Sequence, residues 1–162
     1  MIKRILVTLD GSELAQDVLP HVEDLARRLP AEVCFVRAVE LNPSALAMDA
    51  GTAGMAGAEL MYEELEAETQ AAKVRLSLLA SDWQTKGITA TWEVVRGEAA
   101  ESIVELAHSR GIDMIAMSTH GRSGLSRLIF GSVAAKVVRE AGLPVLVITP
   151  VENRPETKEV TG

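Results

Sequence analysis

Five short runs rich in β-branched and apolar residues alternate along this chain with stretches of helical periodicity, and that alternation constrains the fold more than any other feature. The runs cover residues 2–9, 32–40, 88–96, 113–119 and 145–149. After the first, Leu14, Val18, Val22, Leu25 and Leu29 recur every three or four positions, which predicts one face of an α-helix ended by Pro30. Met61, Leu65, Ala72, Leu76, Leu79 and Trp83 predict a long helix over 59–85, stopped by Gly87. Ala99, Ile103, Leu106 and Ala107 predict a third over 98–110, and a fourth spans 131–141 before Gly142 and Pro144. Strands that alternate with helices in this way predict an α/β fold, a parallel sheet with helices on both faces. Ligands of such sheets sit outside the carboxyl ends of the strands. The strand-to-helix loops at 10–12, 38–40, 97–98 and 118–132 are therefore the candidate site elements.

Charge and composition remove several function classes. Lys and Arg total 16 against 23 Asp and Glu, a net charge of −7 without a basic cluster, so no nucleic-acid partner is expected. Aromatic residues are 3% of the chain, too few for base-stacking platforms. Nothing approaches the ~18–20 apolar residues of a membrane span. The first apolar run is broken at Asp10, too early for a signal peptide. With a lone cysteine, Cys34, there is no internal disulfide framework, and a reducing cytoplasm is expected. His21, His108 and His120 are dispersed and make no zinc spacing. Residues 41–58 read as a long loop with Gly51, Gly54 and Gly57. The Met48, Met55 and Met61 group makes either an adaptable lid or partner surface, or disordered loop and helix core. We expect one domain over 1–150 and a polar, flexible tail over 151–162.

The most informative segment runs from Ser118 to Ser132, between a strand and a helix. Glycines let a ligand approach the backbone. The amides around Gly131, Ser132 and Val133 open a helix, where unpaired N–H groups and the dipole suit an anion. Ser123, Ser126 and Ser132 add hydroxyls, and Arg122 and Arg127 add positive charge. The segment therefore reads either as a phosphate cradle or as a polar surface loop with a glycine-led helix start. It contains no G-x-x-x-x-G-K-[ST] loop and no nucleophile elbow.

In combination, VTLDGS near the start, MSTHGRSGLSRLIFGSVAAKVV late in the chain and the closing PVLVI strand resemble the universal stress protein family, from about Lys3 to Pro150. The nucleotide-binding branch carries G-x2-G-x9-G-[ST]; here the pattern is Ser118-x2-Gly121-x9-Gly131-Ser132, with serine in place of the first glycine. The resemblance implies a site for ATP, with Mg2+ held through the phosphates. By the same resemblance Thr8 and Leu9 line its floor and Asp10 contacts the ribose or supports a metal. Main chain at Ala38 and Val39 reads the adenine edge, and Met117 and Ser118 complete the site from the fourth strand. Gly121, Arg122, Gly131, Ser132 and Val133 hold the phosphates.

We expect a Rossmann- or flavodoxin-like sandwich of five parallel strands in order 3-2-1-4-5. The strand at 145–149 would be an exposed edge, and the resemblance implies a homodimer paired through it. The expected function is an ATP-binding, dimeric stress-response or regulatory protein. The alternatives are a slow ATPase or phosphoryl-transfer enzyme and a dimeric scaffold without nucleotide.

Overall fold

The computed structural model describes residues 1–40, 54–119 and 131–149. Five strands, β1 (Arg4–Thr8), β2 (Glu32–Val39), β3 (Ala90–Arg96), β4 (Met114–Ser118) and β5 (Val145–Ile148), form one sheet in the order β3-β2-β1-β4-β5. Every pairing is parallel, as the expected order requires. The helices are α1 (Leu19–Arg28), α2 (Gly54–Thr85), α3 (Ala99–Ser109) and α4 (Ser132–Glu140).

Side chains alternate across the sheet and divide the core in two. Ile5, Val7, Val33, Phe35 and Ala116 face α1 and α2, where Val22, Leu76 and Trp83 meet them. Leu6, Val36, Ile115 and Met117 face α3 and α4, against Ile103, Leu106, Ala134 and Val137. The rings of Phe35 and Trp83 meet edge to face, their centroids 5.0 Å apart.

Two boundaries differ from expectation. The segment after β1 is not one α-helix: Leu14–Val18 is a 3₁₀ turn, and α1 begins only at Leu19. Pro20 is the cause. It has no N–H to return to Gln16, so the α-helical ladder cannot run through it. Leu19 N–H closes the tighter turn on the Gln16 carbonyl instead. Helix α2 starts at Gly54 rather than at 59, because Met55, Ala56 and Ala58 are helix formers that outweigh Gly57. The rest of the expected loop, with Met48, lies outside the described residues.

Ion pairs locate α2 against the sheet. Arg37 of β2 meets Glu68 at 2.5 Å, and Arg96 of β3 meets Glu66 at 2.5 Å, both near the carboxyl ends of their strands. At ~1.5 Å rise per residue, the twelve residues from Gly54 to Leu65 make ~18 Å of helix on the amino-terminal side of those ion pairs. No helix among the described residues is long and apolar enough to cross a membrane.

Candidate functional site

The carboxyl edge of the sheet is built from β1 outward. Leu9, 9% exposed, extends β1 by donating its N–H to the Val36 carbonyl at 2.9 Å. Thr8 is half-buried beside it. Asp10 then turns the chain: its Oδ1 accepts from Ser12 N at 2.9 Å and from Ser12 Oγ at 2.7 Å. Ser12 Oγ in turn accepts from Ala15 N at 3.1 Å, capping the 3₁₀ turn. Gly11 sits at φ +84°, a left-handed conformation that calls for glycine, and a Cβ there would lie 3.1 Å from Arg37 Nη1.

At the end of β2, hydrogen bonding separates Ala38 from Val39. The Val39 carbonyl accepts from Gly97 N at 3.2 Å, on the β3 side. The Val36 carbonyl points the other way, to Leu9. Peptide groups alternate along a strand, so those of Ala38 turn toward β1, beyond its last paired residue. Met117 packs into the α3/α4 core, and Ser118 follows at the end of β4, half-buried. The Ser118 hydroxyl donates to the Ala15 carbonyl at 3.5 Å, against the 3₁₀ turn. Gly121 and Arg122, with His120, Ser123, Ser126 and Arg127, lie outside the described residues.

Two helices begin on this edge, and their amino ends are treated differently. Glu98 caps α3, its carboxylate accepting from Ala100 N at 3.3 Å and Glu101 N at 2.8 Å. Glu40, the residue after β2, accepts from Ala99 N. Two carboxylates thus occupy the first-turn amides of α3. Lys136 of α4 then bridges to Glu98 at 3.0 Å and Glu101 at 2.9 Å, fastening the start of α4 to the start of α3. The Glu101 and Glu98 carboxylates push the Lys136 ammonium up to about 12. The Glu101 amide, helped by Lys136, holds the Glu98 carboxyl below its ordinary value. By contrast α4 opens at Gly131 with no side-chain cap among the described residues. Ser132 is exposed there, and Val133 packs inward on the core.

The edge thus assembles Thr8, Leu9, Asp10, Ala38, Ser118, Gly131 and Ser132 around the point where the strand order reverses. Glu40 and Lys136 were not singled out from the sequence; they act across 59 and 38 residues of chain, and no local pattern marks such contacts. A cleft of about 640 Å³ also opens between the 3₁₀ turn and α2, with Leu9, Ser12, Gln16, Arg37, Glu68 and Leu76 among its walls. No described residue of β4 or α4 lines it. His21 and His108 are exposed on their helices, and Cys34 is a half-buried free thiol whose burial raises its pKa.

A family model for the universal stress protein family matches residues 1–149. The chain belongs to the universal stress protein family. Among its relatives, universal stress protein MJ0531 of Methanocaldococcus jannaschii is 33% identical over 146 residues, covering 90% of this chain and 81% of that protein. MJ0577 of the same organism is 30% identical over 154 residues, covering 91% and 95%. The solved structure of MJ0577 has a TM-score of 0.76 at 26% identity, covering 94% of this chain and 99% of that one. A universal stress protein solved in complex with cAMP shares the fold, with a TM-score of 0.55 at 19% identity, covering 91% and 97%.

Proposed function

We propose that this universal stress protein binds ATP across the switch point between β1 and β4, and that the nucleotide serves as a regulatory or structural ligand of a cytoplasmic homodimer. The observation that carries the reading is the contrast between the two helix starts. The amides of α3 are taken by Glu98 and Glu40, whereas those of α4 meet no capping side chain among the described residues. Amides left this way at a helix start suit an anion, and the glycine pattern ending in Gly131 and Ser132 suits close approach by phosphate. In this account Ser132 and Val133 hold phosphate together with Gly121 and Arg122. Ala38 reads the adenine edge through its main chain, since the Val39 carbonyl is already engaged. Asp10 lies toward the ribose, shaped by Ser12. Mg2+ enters on the phosphates, because no group of His, Cys, Asp and Glu among the described residues could hold it alone. That another protein of this fold takes cAMP is consistent with an adenine ligand.

Calorimetric titration with ATP, AMP and adenosine, each with Mg2+, tests the proposal. Affinity should rise with phosphate number, with at least about tenfold between adenosine and ATP, ~1.4 kcal/mol. Equal affinities, or no binding of any of the three at millimolar concentration, would refute it.

The homodimer of this reading pairs β5 with β5. Among the described residues the strand has one neighbour, β4, and its four residues are half-buried. Carbonyls of Pro144 and Ile148 face β4, accepting from Ile115 N and Thr119 N. The alternation turns the peptide groups of Val145 and Val147 outward. Val147→Pro therefore removes an outward donor and leaves the bonds to β4 in place. Light scattering is expected to show a dimer for the parent and a folded monomer for the variant; an unchanged dimer would exclude this edge.

A further inference from the structure

Helix α2 carries two apolar stripes, and the sheet uses one. Leu65, Ala72, Leu76 and Trp83 are buried. On the opposite side Leu60, Ala67, Ala71, Val74 and Leu78 recur at intervals of seven, four, three and four, with Glu64 in the gap after Leu60. Leu60, Val74 and Leu78 are 62%, 58% and 66% exposed, and both alanines are exposed between them. This four-three spacing is that of a helix-packing seam. The cleft against the 3₁₀ turn runs beside the seam and has Ala71 and Leu78 on its wall. An apolar ridge next to an apolar groove is self-complementary under a two-fold axis.

Charge selects the occupant. From 54 to 70 the helix has Glu59, Glu63, Glu64, Glu66 and Glu68 and no Lys or Arg; from 71 to 85 it has Lys73 and Arg75 against Asp82. Glu64 and Arg75 are exposed, and neither has an ion-pair partner among the described residues. We propose that two copies of this chain associate through α2, antiparallel, with Leu78 of one copy against Leu60 of the other. That register sets Ala71 opposite Ala67, where small side chains let the helices approach closely. It also brings Arg75 beside Glu64 of the second copy, so the seam and the unpaired charges are satisfied together. The seam is separate from the β5 edge and from the residues of the proposed nucleotide site, although the cleft beside it shares Leu9 with that site; the contact along the seam does not require ATP.

Pairing of introduced cysteines tests both contact and direction. Ala67→Cys and Ala71→Cys chains, one bearing a mass tag, are mixed in equal amounts and oxidised, with the unsubstituted protein setting the background from Cys34. Random collision makes half of the covalent dimers mixed. The antiparallel seam predicts a large majority of mixed 67-to-71 dimers. Adding Leu78→Glu to both chains should abolish that majority while circular dichroism stays unchanged. Arg75→Glu should weaken it, and Glu64→Arg in the same chain should restore it. A mixed fraction at or below half, or no product above background, would overturn the proposal. Such a result would leave the surface to a small apolar ligand or to a different protein.

Discussion

Gly131→Val is expected to lower affinity for Mg-ATP by roughly a hundredfold and to leave the fold intact. Gly131 has φ −56° and ψ 152°, a conformation open to any L-residue, so valine strains nothing in the backbone. The Ala135 N–H to Gly131 carbonyl bond at 2.9 Å survives as well, because it is main chain. What changes is the space in front of the α4 amides. A branched side chain there holds phosphate away from them, and each charge-assisted hydrogen bond lost costs about 1.5–3 kcal/mol. Two such losses, partly offset by water, come to about 3 kcal/mol. Calorimetry beside the parent measures the change, and thermal melting checks the fold. Undiminished affinity in a folded variant would remove the start of α4 from the phosphate site.

The second large effect is on stability. Trp83→Ala is expected to cost about 3–5 kcal/mol, the range for emptying a buried aromatic position. Trp83 is 2% exposed and Phe35, its edge-to-face partner, is fully buried on the central strands. The main chain at Trp83 also closes α2, its carbonyl accepting from Lys86 N and Ile88 N at 3.1 Å. Those bonds persist in the variant, so the loss reports packing rather than unwinding. Against a typical total of about 5–15 kcal/mol, such a loss removes a large share. Urea unfolding should show a lower midpoint with an unchanged slope. A change below about 1 kcal/mol would mean that the α2 face of the core is not packed as described.

The order of elements was legible because strand and helix periods differ and glycine and proline punctuate them. Pro20 was equally visible, yet the regular spacing from Leu14 to Leu29 masked its effect; the missing N–H outweighs the pattern. At the start of α2, glycine spacing suggested loop where alanine and methionine favoured helix. For the site, the strand-to-helix loops at 10–12 and 97–98 were legible in the sequence as elements of the sheet's carboxyl edge. That Glu40 joins Glu98, and that Lys136 ties α4 to α3, depends on the sheet bringing β2, α3 and α4 to one edge. The outer stripe of α2 was also written in the sequence, but only the inner stripe's burial distinguishes the two.

Native mass spectrometry of freshly purified protein, before and after adding Mg-ATP, shows directly whether the chain takes an adenine nucleotide. Each chain is expected to carry at most one adenine nucleotide, with the bound fraction rising on addition. Protein that stays empty at millimolar Mg-ATP would contradict the proposed ATP binding.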